Sequence, residues 1–217
     1  MVLGRWNMKL YLSSYRLGDH AHKLQELVGG KDARVAVSVN ALDFIDAAAR
    51  SGIVERELAD MRSLGFVPKE LDLRNWFDKS GLVDEIKKFD AIWFSGGNAF
   101  LLVKAMKQSG FGEVFTQLIK PGKLVYAGYS AAFCAVSSSL CGVELVDDKD
   151  VQADGYEPGE IWEGFGLIDF YPIVHFRSDH HESELVEKEY EYVVKNNIAH
   201  KTFRDGDVYV VTGELSE

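Results

Sequence analysis

Short β-prone runs alternate with longer segments that carry charged residues at helical spacing, and this alternation is the strongest constraint on the fold. The strand-like runs are KLYLSS (9–14), ARVAVSVN (33–40), VPKELDLR (67–74), DAIWFSGG (90–97), KLVYAG (123–128) and LIDFYPIVHF (167–176). Helix-like segments lie between them, and a strand pair turned at Asp205-Gly206 closes the chain. The pattern predicts an α/β fold, in which a doubly wound, mostly parallel sheet forms the middle of three layers.

The alternation stops between Cys141 and Gly166, where the sequence is acidic and rich in turn-forming residues. No repeat, linker or low-complexity tract accompanies this change. We therefore predict a single domain over residues 1–217 that contains one long irregular loop, and long loops of this kind are often functional. A strand starts directly after Met8, which makes Met8 a candidate natural start and residues 1–7 a candidate extension.

The composition narrows the classes of partner. The 217 residues include 24 basic and 34 acidic side chains, which give a formal net charge of -10. Such a surface repels nucleic acid and anionic membranes, so a small peptide or other small molecule is the expected ligand. Two cysteines without metal-ligand spacing, and the absence of a long apolar stretch, lead us to expect a soluble cytoplasmic protein.

Three segments that bear reactive or flexible residues follow strand-like runs. Gly96 and Gly97 end the run DAIWFSGG, Ser130 follows KLVYAG within GYSAA, and His175 lies near the end of LIDFYPIVHF. In an open parallel sheet, ligands bind outside the carboxyl ends of the strands. Each segment alone is typical of an ordinary turn or a structural histidine. Together they predict one site at this edge.

A serine hydroxyl becomes a nucleophile only beside a base that takes its proton and N–H donors that bind the developing oxyanion. GYSAA has the strand-turn-helix context of a nucleophile elbow, which makes Ser130 the candidate nucleophile. His175 is the candidate base. The amides of Gly97 and Ala131 are the candidate oxyanion donors.

The segments FSGGNAFLLVKAMKQSG, YAGYSAAFCAV and GLIDFYPIVHF together resemble the successive signatures of peptidase family S51, the dipeptidase E group, which is related to cyanophycinases. The resemblance implies a flavodoxin-like or class I glutamine amidotransferase-like fold. It also implies a serine peptidase that forms an acyl-enzyme, with Ser130 as nucleophile and His175 as base, and an oxyanion hole at Gly97 and Ala131. Asn98 and Arg177 are assigned to substrate binding.

The sequence departs from the family pattern at the elbow and at the catalytic acid. Ala132 stands where the family has a glycine, which is expected to reduce activity or reshape the pocket. The family acid falls near Cys141-Gly142 in our alignment, where no carboxylate occurs. Glu144 is the predicted replacement because it is nearest. Asp147 and Asp148 are the alternatives, and a solvated acidic loop is the competing interpretation.

The substrate is also expected to differ. Leu185 or Val186 occupies the place of the arginine that pairs with an aspartyl substrate in the family, so aspartyl specificity is not expected. Arg177 is the candidate substitute, since a guanidinium binds a carboxylate bidentately, and a surface arginine without a role in binding is the competing interpretation. The adjacent His180 and His181 point in different directions on either a helix or a strand, and we expect neither a metal nor a cofactor.

Two other functions remain open at this point. The main prediction is an S51-like serine peptidase that acts on a small peptide. The first alternative is a degenerate member of the family that binds a peptide or metabolite without turnover. A hydrolase or acyltransferase of different amide specificity is intermediate between them. The expected assembly is a monomer or a homodimer.

Overall fold

A computed structural model of the protein describes residues 6–213, in which helices and strands alternate along most of the chain. The strands are β1 (Lys9–Ser13), β2 (Arg34–Ser38), β3 (Val67–Glu70), β4 (Ala91–Phe94), β5 (Val125–Tyr129), β6 (Tyr171–Ile173), β7 (His200–Thr202) and β8 (Val208–Thr212). The helices are α1 (Ala21–Val28), α2 (Ala47–Ser63), α3 (Leu82–Ile86), α4 (Ala99–Gln108), α5 (Phe111–Val114), α6 (Ala131–Ala135) and α7 (Ser183–Lys195). A π-helical stretch, Phe115–Ile119, continues α5.

Six strands form the main sheet in the order β3-β2-β4-β5-β1-β8. The first five are parallel, and β8 pairs antiparallel with β1 through Ser13 opposite Val208. The predicted α/β class with a mostly parallel sheet is therefore confirmed. Because β8 runs against its neighbour, the residues that precede β8 lie at the edge where β1, β4 and β5 end.

Alternate residues of each central strand pack against helices on opposite faces, as the pleat of a sheet requires. On β4, Ile92 and Phe94 join the core formed with α3, α4, α5 and α6. Trp93, on the same strand, joins the core formed with α1 and α2. Both faces of the sheet are thus covered by helices, and the edge formed by the strand ends is left for a site.

The local sequence explains where the longer helices begin. Asp46 caps α2, since its carboxylate accepts hydrogen bonds from the Ala48 and Ala49 amides at 3.0 Å each. The Asn98 side chain caps α4 in the same way through the Leu101 amide at 2.9 Å. Each cap satisfies amides that have no partner within the helix.

The structure differs from the sequence expectation at the closing strands. They do not form a hairpin, because β7 pairs in parallel with β6 in a separate two-stranded sheet while β8 joins the main sheet. The turn at Asp205-Gly206 therefore connects two sheets. The predicted strand over 167–176 is reduced to the three residues of β6.

The irregular segment between Cys141 and Gly166 is held to the fold by buried polar contacts. The Tyr156 hydroxyl donates to Asp43 Oδ2 at 2.6 Å, and Asn98 Nδ2 donates to the Asp148 carbonyl at 2.7 Å. Within residues 6–213, no helix is both long and apolar enough to cross a bilayer. The single domain stays a prediction, and residues 1–5 of the candidate extension lie outside the described residues.

Candidate active site

Ser130 occupies a sharp turn between β5 and α6. Its backbone angles are φ 50° and ψ -106°, a conformation that non-glycine residues rarely adopt. The turn is fixed because the Ser130 amide donates to the Ser13 carbonyl at 3.1 Å, across from the end of β1. Strain of this kind, when the surrounding structure maintains it, is concentrated at functional sites.

Gly128 and Ala132 pack directly against each other beneath this turn. A Cβ atom on Gly128 would lie 2.5 Å from the Phe94 carbonyl oxygen and 2.6 Å from the Ala132 Cβ. Only glycine fits at position 128, and the Ala132 methyl uses the space that the missing side chain leaves. Ala132 is fully buried, so its methyl lies inside the fold and not in the pocket beside Ser130.

The glycine pair after β4 lies alongside the serine turn. A Cβ atom on Gly96 would lie 3.2 Å from Ser130 Cβ, and Gly97 has φ 135°, a region that favours glycine. Among the residues that the structure describes, the amides of Gly97 and Ala131 donate to no acceptor. Free amides beside a strained serine have the character of oxyanion donors.

His175 and Asp205 form a short hydrogen-bonded pair. The ring donates from Nδ1 to Asp205 Oδ1 across 2.6 Å, which leaves Nε2 free to accept a proton. Burial lowers the pKa of His175, and the carboxylate of Asp205 opposes this effect. The imidazole is therefore neutral at pH 7, which is the state that a general base requires.

The sequence interpretation missed Asp205 because it treated Asp205-Gly206 as a hairpin turn. The antiparallel addition of β8 to β1 brings this turn to the edge where the parallel strands end. The available signal was topological: an antiparallel last strand starts at the edge where the parallel strands finish.

Ser130 and His175 line the same pocket. The other residues that line it are Ala131, Cys134, Val143, Val146, Asp147, Val174, Glu182, Val186 and Glu189. In the part of the chain that the structure describes, no hydrogen bond joins the Ser130 hydroxyl to the His175 ring. Catalytic hydrogen bonds often tighten only in the complex with substrate, so the shared pocket is the relevant observation.

Carboxyl groups dominate the polar lining of the pocket. Burial raises the pKa of Asp147 to about 7, with the Ala99 amide opposing it and Glu182 adding to it. Burial also raises the pKa of Glu189 to about 8, although the Tyr171 hydroxyl donates to Glu189 Oε1 at 2.6 Å. The described lining residues include no lysine or arginine. The pocket is therefore anionic above pH 8.

Within residues 6–213, none of the three carboxylates predicted as the orienting acid forms a hydrogen bond with the His175 ring. Glu144, the predicted acid, accepts a hydrogen bond at 2.5 Å from the amide of Gly142, two residues earlier in the same loop. Asp147 accepts from the Ala99 amide at 2.7 Å and lines the pocket. Asp148 is exposed and accepts from the Asp150 amide. Asp205 occupies the position at Nδ1 that was assigned to Glu144.

The two residues assigned to substrate binding are engaged in other contacts. Asn98 uses its side-chain oxygen as a helix cap and its nitrogen to hold the Asp148 carbonyl, so both polar atoms have partners. Arg177 is exposed and pairs with Glu187 at 3.0 Å, and its guanidinium lies over the Phe176 ring. Neither residue lines the pocket beside Ser130. Val186, one of two candidates for the place of the family arginine, does line it.

His180 stacks on His175 with the ring centroids 3.8 Å apart and the planes 5° from parallel. Together with Glu182 the two rings place possible metal ligand atoms within 4.8 Å of one another. The lone pairs of an imidazole lie in the plane of its ring. Two stacked rings therefore do not direct their nitrogens at one ion, and the arrangement does not match a tetrahedral site.

The sequence is similar to known peptidases. The profile of peptidase family S51 matches residues 17–214. An uncharacterized peptidase of Listeria monocytogenes serovar 1/2a is 28% identical over 128 residues, which make up 58% of this chain and 58% of that protein. Peptidase E of Streptomyces coelicolor is 25% identical over 182 residues, covering 79% of this chain and 71% of that protein. The chain thus spans about three fifths of the length of the Listeria relative.

The fold is also similar to that of solved structures. A crystal structure of a candidate peptidase E protein from Listeria monocytogenes EGD-e has a TM-score of 0.71 at 20% identity, covering 97% of this chain and 100% of that chain. The crystal structure of a peptidase from an acI-B1 actinobacterium has a TM-score of 0.66 at 17% identity, covering 96% of this chain and 89% of that chain. At these identities the likeness shows the fold alone.

The raised pKa of Glu189 predicts a stability that falls as pH rises. A carboxyl group that holds its proton more tightly in the folded state stabilises the protein below pH 4.5, and this contribution is lost as pH rises through about 8. We expect the free energy of unfolding, measured with urea, to fall by on the order of 1 kcal/mol per pH unit between pH 5.5 and 8. Glu189→Gln, which stays neutral, should remove the Glu189 part of this slope and leave the part that Asp147 contributes as pH rises through about 7.

The matched control is Glu191→Gln, which changes an exposed carboxylate two residues further along α7. This variant should keep the pH dependence of the wild-type protein. Equal slopes for wild type and Glu189→Gln would contradict a raised pKa at Glu189.

Proposed function

Because the chain belongs to peptidase family S51, we propose that it is a serine-type peptidase in which Ser130 attacks the scissile amide and His175 takes the serine proton. The observation that carries the proposal is the hydrogen bond between His175 and Asp205, together with the fact that His175 lines the same pocket as Ser130. A strained serine without a base would have no means of losing its proton.

In the first step the oxygen of Ser130 forms a bond to the carbonyl carbon as its proton passes to Nε2 of His175. Asp205 holds the tautomer in which Nδ1 carries hydrogen, and it stabilises the imidazolium that forms. The free amides of Gly97 and Ala131 are the proposed donors to the oxyanion. They act when negative charge develops on the carbonyl oxygen.

In the second step the carbon–nitrogen bond breaks, and His175 returns the proton to the leaving amine. The acyl group is then attached to Ser130 as an ester. Water attacks this ester while His175 takes a proton from the water, and the proton finally returns to Ser130. The cycle consumes one water and needs no cofactor.

The lining of the pocket bears on the substrate. Asp147, Glu182 and Glu189 line a cavity of about 20 Å³ beside Ser130, and their negative charge would repel an acidic substrate side chain brought next to Ser130. Val186 offers only apolar contact near the place of the family arginine. The proposed substrate is therefore a small peptide whose acyl-donating residue is neutral or basic, and not aspartyl.

The remaining features of the proposal rest on the sequence. The net charge of -10 disfavours nucleic acid and anionic membranes as partners. Cys134 and Cys141 are free thiols, which agrees with a reducing compartment such as the cytoplasm. A monomer or a homodimer stays the proposed assembly.

Ser130→Ala should abolish peptidase activity, lowering kcat by about a thousandfold or more, because the nucleophile is lost. The fold should be retained, as circular dichroism would show. A fluorophosphonate followed by peptide mass spectrometry should label Ser130 in the wild-type protein and nothing in the variant. Absence of labelling in a folded wild-type protein would favour the non-catalytic alternative.

Asp205→Asn should lower kcat by about a hundredfold to ten-thousandfold, since asparagine can donate to Nδ1 and so favours the wrong tautomer of His175. The matched control is Glu144→Gln, which changes the acid that the sequence favoured, and it should retain turnover within about threefold. Steady-state kinetics on both variants decide between the two carboxylates. A large loss at Glu144 with little loss at Asp205 would overturn this assignment.

Asparaginyl and aspartyl p-nitroanilides form a matched pair of substrates that differ in charge. We expect kcat/KM at pH 8 to favour the asparaginyl substrate by about tenfold or more, because like charges about 5 Å apart cost roughly 3 kcal/mol at a dielectric constant of about 20. The preference should shrink at pH 6, where Asp147 and Glu189 are protonated.

Asp147→Asn should reduce the same preference at pH 8. Asp148→Asn, the exposed neighbour, should leave it unchanged. Faster cleavage of the aspartyl substrate by the wild-type enzyme would contradict the proposed specificity.

A further inference from the structure

Ser14, the residue directly after β1, is buried against both members of the His175–Asp205 pair. Its hydroxyl oxygen accepts a hydrogen bond from the backbone amide of His175 at 2.8 Å. The hydroxyl proton faces two acceptors, Asp205 Oδ1 and the Phe203 carbonyl, each at 3.3 Å. One side chain thus contacts the backbone of the base and the carboxylate of the acid.

The same strand end also fixes the nucleophile. The Ser13 carbonyl accepts from the Ser130 amide at 3.1 Å, and the Ser14 amide donates to the Asp207 carbonyl at 3.1 Å. β1 lies between β5, which leads to Ser130, and β8, which follows Asp205. The three segments that carry the proposed triad therefore meet at the end of β1.

We propose that Ser14 is a positioning residue, whose hydroxyl holds the His175–Asp205 pair at the distance and orientation that proton transfer from Ser130 requires. This inference rests on the proposed peptidase function. Ser14 does not line the pocket, and within residues 6–213 its side chain forms no hydrogen bond with Ser130, so we place its action on the other two residues.

The need for such a contact follows from the backbone of His175. His175 has φ 56°, an unfavourable conformation for a side chain that is not glycine. β6 ends two residues earlier, and the next backbone contact of the segment is made by the Phe176 amide, which donates to the Phe203 carbonyl at 3.0 Å. The His175 amide lies between these contacts and donates to Ser14 instead. The hydrogen bond to Ser14 ties this strained residue to the main sheet. Without the hydroxyl, the buried amide of His175 loses its partner and the ring is free to turn away from Asp205.

The hydroxyl also influences the protonation of the base. Asp205 opposes the effect of burial on the pKa of His175, so a looser pair leaves burial dominant and the pKa falls further. The other titratable groups near the ring are Tyr15, Cys134, Asp147, His180, His181, Glu182 and Glu189. Within residues 6–213, Asp205 is the titratable side chain that hydrogen-bonds to the Ser14 hydroxyl, so we expect removal of the hydroxyl to act on the His175 pKa mainly through Asp205.

The test is Ser14→Ala, compared with Ser109→Ala as a matched control. Ser109 is also a buried serine, directly after α4, and within residues 6–213 its hydroxyl donates to the Met106 carbonyl of the preceding helix at 3.2 Å. Ser14→Ala should lower kcat by about tenfold to a hundredfold with KM within twofold, because small misplacements of catalytic groups cost rates of this size. Ser109→Ala should lose stability at most.

The pH profile separates positioning from a loss of stability. The acid limb of kcat/KM should move to lower pH by about half a unit or more in Ser14→Ala and stay in place in Ser109→Ala. In an Asp205→Asn background, Ser14→Ala should lower kcat by a much smaller factor than it does in the wild-type background, because the two residues act on the same imidazole ring. Wild-type turnover with an unchanged kcat and acid limb in Ser14→Ala would overturn the inference and leave the proposed function intact.

A wild-type protein that does not cleave peptides would contradict the proposed function. The role of Ser14 can still be tested in that case, because the following measurement does not need activity. NMR titration of the His175 imidazole reads the contact with Asp205 directly. A lower imidazole pKa in Ser14→Ala than in the wild type supports positioning by Ser14. Identical titration curves overturn it, whether or not the protein is a peptidase.

Discussion

The antiparallel pairing of β8 with β1 is the constraint on which the candidate site depends. A sixth parallel strand would begin at the opposite edge of the sheet, and the turn that carries Asp205 would lie far from His175. Because β8 is reversed, its first residue is opposite Ser13 and its preceding turn reaches the catalytic edge. The sheet register therefore sets the distance between Asp205 and His175, and no local motif around either residue does so.

A second constraint acts beneath the serine turn, where β4 and β5 lie in register with Phe94 opposite Gly128. The close approach of Gly128 to Phe94 and Ala132 leaves no space for rearrangement. The serine is thus presented by a packed and inflexible support. The Ala132 methyl, where the sequence departs from the family pattern, is part of this packing, and its expected effect on activity stays a prediction.

The sequence predicted well what depends on periodicity and poorly what depends on long-range pairing. The alternation of strand-like runs and helix-like segments predicted the α/β class, because most strands of the main sheet are short apolar runs that are followed or preceded by a helix. Ser130 and His175 were predicted to share one site because each lies at the end of a strand-like run, and the carboxyl ends of parallel strands meet at one edge of the sheet. The role of Asp205 was not predicted, since the partner of β8 is a strand almost 200 residues earlier. Glu144 was chosen for its nearness in sequence, which says little about distance in a loop without regular structure.

The start of α4 has a double role whose consequence is evolutionary. The Asn98 side chain and the Ala99 amide hold Asp148 and Asp147, while Gly97, just before them, presents one of the two free amides. The wall of the pocket and the free Gly97 amide are therefore anchored to the same helix end. Mutations in residues 143–148 that break these contacts are expected to shift the Gly97 amide as well as the wall, so we expect accepted mutations there to keep the anchorage. Lineages that changed substrate should show correlated substitutions between the loop and residues 97–99.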